Sequence, residues 1–187
     1  MSITIVPYNP EWPAEFARLA AALQEALGSL ALRVDHIGST SVPGLAAKDL
    51  IDIQVTVRAL TPPVEAALAA LGYTRRPDIT ADHRPPLASG PEEDWKKWLF
   101  RPPTGQRPTN LHVRVQGRPN QRYPLLFRDY LRARPVAAQA YARVKQALAR
   151  QHPDDKEAYY EVKDPVFDLI ITAAEEWAAA VRWQPGL

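Results

Sequence analysis

The sequence predicts an α+β fold: a mixed β-sheet with flanking helices, followed by a helical C-terminal third. Three observations lead there. A helical apolar pattern opens the chain, two-residue alternation of apolar and polar side chains recurs between residues 31 and 116, and beyond Arg122 the apolar spacing is helical throughout. With 187 residues, 46% apolar and 24% charged, the chain is long enough to bury a core of its own without staples. It has no cysteine, which excludes disulfides, thiolate metal sites and a cysteine nucleophile. The first residues lack a basic stretch leading into an apolar one, and nowhere do about 18 apolar residues run together, so a water-soluble, cytoplasmic protein with no membrane partner is expected.

Pro13 followed by Phe16, Leu19, Leu23 and Leu27 has the spacing of an amphipathic helix, with the proline in the first turn and Gly28 just past the end. Residues 31–37 read as a short strand that stops at Gly38, and residues 50–57 as a stronger one. In the second, Ile51, Ile53, Val55 and Val57 share one face while Leu50, Asp52, Gln54 and Thr56 share the other, so Asp52 and Gln54 project together. Thr61 and Pro62 form a cap and first-turn pair for a helix carrying Val64, Leu68 and Leu71, closed by Gly72, and a short strand is expected at 73–76. Segment 77–94 is rich in proline and poor in large apolar residues, the composition of a long surface loop.

Residues 95–101 and 110–116 are expected strands around a turn-rich stretch, and in the latter Leu111, Val113 and Val115 face away from His112, Arg114 and Gln116. Four helices should follow: one with Leu126 and Tyr130, one opened by Pro135, one from Asp154 through Tyr159, and a last one capped by Asp164 and Pro165. The whole is expected to form a single domain, with the sheet in 1–121 and the helical part in 122–187.

The formal net charge of +2 hides three blocks: 4 Lys/Arg against 7 Asp/Glu in residues 1–71, 16 against 6 in 72–150, and 3 against 8 in 151–187. A middle block this basic attracts a phosphate-bearing ligand if its charges face one cleft, and is ordinary solvated surface if they do not.

The segment Asp35-His36-Ile37-Gly38-Ser39-Thr40-Ser41-Val42-Pro43-Gly44-Leu45 places two glycines and three hydroxyls directly after a strand. Backbone N–H groups and hydroxyls in such a turn can receive an anion, although a bare turn of this kind is more often structural. It is no P-loop, because Leu45 stands where lysine is needed, and no serine-hydrolase elbow, because Gly-x-Ser-x-Gly does not occur.

Continued through Ala46-Ala47-Lys48 to Ile51-Asp52-Ile53, the segment closely resembles the signature of the GrpB family, which is placed in the nucleotidyltransferase superfamily. Further matches are Leu111-His112-Val113, Phe127-Arg128-Asp129-Tyr130-Leu131-Arg132, Tyr141 with Lys145, and Tyr160 with Lys163. The resemblance implies a nucleotidyltransferase-like sheet. The superfamily pattern sets a Gly-Ser pair after one strand, an Asp-x-Asp/Glu pair on the next and a third carboxylate on a further strand. Together these hold two Mg²⁺ ions that activate a hydroxyl and brace a triphosphate.

Carried onto this chain, Gly38-Ser39 fits and Asp52 stands at the first carboxylate, but Gln54 occupies the second position and His112 the third. Mg²⁺ is a hard ion held by charged oxygens, so Asp52 with ligand phosphates can hold one ion, and the usual pair is not expected. Two readings follow. In one, the protein binds a nucleotide or other phosphorylated small molecule and transfers a nucleotidyl group with one Mg²⁺. There Asp52 is catalytic and the metal ligand, and His112 or His36 takes a proton. In the other it is a non-catalytic binding module that has lost the metal-binding carboxylates.

In both, Gly38, Ser39, Thr40, Ser41, Lys48, Gln54, Arg114, Arg128 and Lys145 are the expected substrate-binding residues. Each has a plainer alternative: a packed histidine, a solvated arginine or lysine, an acid that only ties down a loop. Asp49, on the opposite face from Asp52, is expected to make a salt bridge or turn. Trp95 and Trp98, three apart on an expected strand, point to opposite faces and form no base-stacking platform, so nucleic acid is not an expected partner.

Overall fold

The computed structural model describes residues 2–85 and 88–185. Helix α1 (Trp12–Leu27) buries Trp12, Leu23 and Leu27 and ends at Gly28, whose φ of 51° only glycine adopts readily. Strands β1 (Ala31–Ile37) and β2 (Ile51–Val57) pair antiparallel, with Ile37 opposite Asp52 and His36 opposite Ile53. Helix α2 (Pro62–Ala70) carries the chain over the sheet to β3 (Thr74–Arg75), β4 (Trp98–Arg101) and β5 (Thr109–Val115). The five strands lie in the order β1-β2-β5-β4-β3, and only β2 and β5 run parallel. Three helices complete the chain: α3 (Pro119–Ala133), α4 (Pro135–Gln151) and α5 (Lys156–Val181).

The alternation read in β2 decides how the two faces of the sheet are used. Ile51, Ile53, Val55 and Val57, with Leu111 and Val113 of β5, pack under Trp12, Leu23, Leu27, Val64 and Leu68 of α1 and α2. Each side chain so buried contributes roughly 1.5–3 kcal/mol. A second core joins Val42 and Leu45 of the loop after β1 to Leu126, Phe127, Leu131, Tyr141, Ile171 and Ala174 of the three C-terminal helices. These helices therefore hold the glycine-rich loop in place from the side away from α1. Between them and the polar face of the sheet lies a cleft.

Several expectations about elements need correction. The two helices expected after Asp154 are one: α5 runs unbroken with Pro165 inside it, opened by Asp155, whose side chain accepts from the Ala158 N–H at 3.0 Å. The missing proline N–H removes one helical bond, but Tyr159, Phe167, Ile170, Ile171 and Ala174 bury on α3, α4 and the N-terminal segment, and tertiary packing of that stripe prevails. The expected strand at 95–101 is shorter, because Glu92–Trp95 forms a turn of 3₁₀ helix before β4. Segment 77–94 is anchored rather than loose: Ala81 bridges Lys96, and the N–H groups of Asp82 and Lys97 bond to Trp95 and Thr80 carbonyls. Among the described residues, no helix is long and apolar enough to cross a membrane.

Candidate functional site

Gly38 leaves β1 with φ 70° and ψ −172°, and a Cβ placed there would lie 2.4 Å from Asp52 Oδ2. Only glycine meets both conditions, so the loop and the acid are in direct contact. The loop then closes as a 3₁₀ turn, Ser39–Ser41. Ser41 Oγ donates to the Gly38 carbonyl at 2.6 Å, and the Ser41 carbonyl accepts from Arg132 Nη2 at 2.7 Å. Lys145 on α4 donates to Ser39 Oγ at 2.8 Å and to the Ala46 carbonyl at 2.7 Å. Burial first, then the neighbouring charges of Lys163 and Lys48, lowers the Lys145 ammonium to about 7 despite Asp52.

The floor comes from neighbouring strands in parallel register, which sets Asp52 beside Asn110 and Gln54 beside His112. Asn110 Nδ2 donates to Asp52 Oδ1 at 2.7 Å, and Asn110 Oδ1 accepts from Arg101. Arg114 joins the rest. Its Nε and Nη2 grip Asp82 at 2.8 and 2.7 Å, its Nη1 donates to Gln54 Oε1 at 2.8 Å, and Nη2 also reaches His112 Nδ1 at 3.3 Å. Gln54 Nε2 donates to the Gln121 carbonyl at 2.9 Å, and Lys97 Nζ donates to Asp82 Oδ1 at 2.6 Å.

Because Arg114 donates to Nδ1 of His112, the ring proton sits on Nε2, which faces Asp52 Oδ1 at 3.9 Å. Burial, reinforced by Arg114, lowers His112 to about 4, so it is neutral at pH 7 with neither nitrogen free to take a proton. Burial works to raise Asp82, but the Arg114 guanidinium and Lys97 hold it well below the usual carboxylate range.

These groups line a cleft of about 590 Å³. Its far wall is Tyr123 and Phe127 of α3, Tyr141 of α4 and Tyr160, Lys163, Asp164 and Phe167 of α5. His83 closes one side, its Nε2 lying 2.9 Å from Asp168. Lys97, Arg101, Arg114 and Lys163 bring positive charge to the lining, and Asp52, Asp82 and Asp164 nearly balance it. The basic middle block is thus dispersed: Arg107 pairs with Glu15 and Asp49, and Arg122 with Glu175.

Of the residues expected to act together, the fold brings Gly38, Ser39, Asp52, His112 and Arg114 to the cleft, with Lys145 directly behind Ser39. His36 is separated from them. It pairs in register with Ile53 and so points through the sheet toward α1, where its ring stacks on Phe16 at 4.7 Å and Nε2 meets Thr40 Oγ1 at 3.0 Å. Burial lowers it to about 4. The expected grouping of His36 with Asp52 and His112 fails because adjacent strands place opposed residues on the same face, and His36 is one step out of phase with Asp52.

Thr40 and Ser41 are buried, the Thr40 hydroxyl meeting His36 of β1 and the Ser41 hydroxyl the Gly38 carbonyl, and neither lines the cleft. Gln54 is fully buried, and its bonds position Arg114 rather than meet a ligand or metal. Arg128 donates to Asp129 and the His36 carbonyl, away from the cleft lining. Lys48 sits over the Tyr159 and Tyr160 rings at 4.4 and 4.8 Å, outside the lining itself, with its pKa lowered by burial. Asp49 accepts from Trp12 Nε1 at 2.8 Å and pairs with Arg107, as its strand phase predicts.

Sequence reasoning missed Asn110, Asp82, Lys97 and Tyr123. Asn110 could have been found by extending the His112–Arg114 face back two residues. Asp82 gave no periodic signal at all.

The carboxylates do not fit the two-ion arrangement that the superfamily pattern implies. Among the described residues, no three His, Asp or Glu side chains are placed to hold a metal. Asp52 Oδ1 already accepts from Asn110, Gln54 is turned to Arg114 and Gln121, and His112 presents an N–H.

A mixed sheet whose polar face backs a cleft roofed by C-terminal helices defines the class, an α+β protein with a ligand-sized hollow. Within that class the chain belongs to the GrpB family: residues 2–173 match the family described as GrpB protein. The crystal structure of GrpB from Enterococcus faecalis superposes with a TM-score of 0.73 at 30% identity, covering 93% of this chain and 99% of that one. A Mycolicibacterium paratuberculosis protein named dephospho-CoA kinase is 41% identical over 98% of this chain and 48% of its own length. A UPF0157 protein of Pseudomonas aeruginosa is 38% identical over 92% of this chain and 67% of its own. The chain spans about half the length of the mycobacterial relatives, which carry as much sequence again outside the match.

Proposed function

We propose that the chain binds a nucleotide or related phosphorylated small molecule in the cleft, on a nucleotidyltransferase-like scaffold, and does so in the cytoplasm. The observation that carries this reading is the meeting of Gly38 and Ser39 with Asp52, His112 and Arg114 in one hollow of about 590 Å³, a size suited to such a ligand. Ser39 Oγ accepts from Lys145, which leaves its own hydrogen for a ligand oxygen, and Lys97, Arg101 and Lys163 supply charge around it. Small-molecule binding without chemistry is the better supported form, since His112 has no free lone pair and the second carboxylate position is a committed glutamine.

Asp52 favours a second reading. As an acid on the cleft floor it can share one Mg²⁺ with ligand phosphates, and in that form the protein transfers a nucleotidyl group. Calorimetry with ATP, GTP, CTP, UTP and dephospho-coenzyme A, each with and without Mg²⁺, separates the two. Mg²⁺-dependent binding that disappears in Asp52→Asn, with pyrophosphate release in the presence of an acceptor, supports transfer. Mg²⁺-independent binding lost in Ser39→Ala supports the binding module. Absence of binding to every member of the panel overturns both.

A further inference from the structure

Lys145 is only 3% exposed, and among the described residues no carboxylate forms a salt bridge with it. A buried lysine is ordinarily paired, because an ammonium is costly to take out of water. This one meets two neutral oxygens instead, Ser39 Oγ at 2.8 Å and the Ala46 carbonyl at 2.7 Å, and its nitrogen lies 4.6 Å from the centre of the Tyr141 ring. Lys163 and Lys48 add like charge, and Asp52 opposes them through space. Such surroundings favour the neutral amine, and with the group at about 7 both forms are present at neutral pH.

The neutral amine carries two hydrogens and one lone pair. One hydrogen stays on the Ala46 carbonyl, and the lone pair accepts from the Ser39 hydroxyl across the same 2.8 Å. A hydroxyl, a base within hydrogen-bond reach and a third group that orients the base are the parts of an activated nucleophile. Of the three hydroxyls in the turn, Ser39 alone is so placed: Thr40 Oγ1 meets His36, Ser41 Oγ meets the Gly38 carbonyl, and of the three residues Ser39 lines the cleft. His112 has no free lone pair, so the base it cannot supply is supplied by Lys145.

We propose that Ser39 and Lys145 are a nucleophile and its general base, and that the cleft hydrolyses a carboxylic ester through an acyl-serine. Ser39 Oγ bonds to the acyl carbon as its proton passes to Lys145 Nζ. The tetrahedral adduct then collapses, the ester C–O bond breaks, and Lys145 returns the proton to the departing alkoxide. Water repeats the sequence on the acyl-serine, releasing the carboxylic acid and restoring Ser39. Positive charge from Lys163 and Lys48, which disfavours an ammonium at Lys145, favours the oxyanion of the adduct. The nearly balanced charge of the lining, with Tyr123, Phe127 and Phe167 among its residues, suits an uncharged ester with an apolar acyl group. This activity goes beyond the nucleotide reading, because it asks for no phosphate on the substrate.

An alkyl fluorophosphonate, which transfers its phosphonyl group to base-activated serines with loss of fluoride, tests the pair, and para-nitrophenyl butyrate tests turnover. Labelling is followed by intact mass and peptide mapping on wild type, Ser39→Ala and Lys145→Met, with thermal midpoints alongside and no nucleotide present. The expected result is one adduct, on Ser39, and ester hydrolysis, both lost in Ser39→Ala and at least about a hundredfold slower in Lys145→Met. In wild type the labelling rate should rise with pH through about 7 and level above it, as Lys145 gives up its proton. No adduct on Ser39 overturns the proposal, and so does labelling of Ser39 without ester hydrolysis. A folded Lys145→Met that is labelled at the wild-type rate also overturns it and assigns Lys145 to tethering the loop. If that variant does not fold, the wild-type pH profile decides: levelling upholds the base, and a rate that keeps climbing overturns it. Because nucleotide is absent throughout, each of these failures leaves the binding reading to its own calorimetric test.

Discussion

On the sheet side of the cleft, Asp52, Gln54, Asn110 and Arg114 are tied to one another or to the backbone; on the helix side, Asn120 and Tyr123 of α3 each keep a buried polar atom without a partner, as does Trp95 of the 3₁₀ turn packed against Tyr123. The difference separates two jobs that a motif-based reading merges. A saturated network in a low-dielectric setting fixes geometry and resists rearrangement, whereas an unpartnered buried polar atom costs the fold free energy. The residues of the resemblance fall on both sides: Gly38, Ser39, Asp52 and His112 on the sheet side, Phe127, Tyr141, Tyr160 and Lys163 on the helices.

The largest expected effect comes from breaking the saturated side. Arg114→Met leaves Asp82 buried without its principal cation and Gln54 without a donor, and should lower unfolding stability by about 3–5 kcal/mol in a denaturant titration. A loss below about 1 kcal/mol would mean that water reaches Asp82 and that the contrast between the walls is false.

Acid should sharpen the picture next. His36 and His112 are both lowered from 6.5 to about 4 by burial, so between those pH values the unfolded chain binds protons that the folded one refuses. Their contribution is complete above about pH 6.5 and disappears as pH falls to about 4, by roughly 3 kcal/mol for each ring. A series of denaturation curves from pH 7 to 4 measures it, and His112→Gln should remove about half the slope. A flat profile would show that both rings are hydrated.

Gly38→Ala tests the junction between loop and floor. A Cβ 2.4 Å from Asp52 Oδ2, at φ 70°, should cost about 2 kcal/mol in stability and displace the acid, abolishing any Asp52-dependent ligand response. The smallest effect is expected outside the cleft. Arg122→Ala loses an exposed pair with Glu175 and should change stability by less than about 1 kcal/mol, giving the baseline against which the others are judged.

How far the molecule could be read in advance follows the same division. The extent of β1, the faces of β2 and the burial of Leu23 and Leu27 on α1 follow from alternation and helical spacing, since apolar burial dominates there. The resemblance puts Gly38-Ser39 and Asp52 in one pattern, and the structure adds their direct contact. His36 was misplaced because composition weighed more than phase. Asp82 lies in a proline-rich segment whose course is set by ion pairs and a single bridge, interactions with no period to read. The unity of α5 was hidden by Pro165, a local stop signal that long-range packing overrides.

That proline has a mechanical consequence. With no amide hydrogen at Pro165, the Glu161 carbonyl one turn earlier lacks its helical partner, and the softest turn of the longest helix falls on the stretch that carries Tyr160, Lys163 and Asp164. At that turn α5 is held less by its own backbone and more by its neighbours, above all by Tyr159, buried against Ile3 and Leu148.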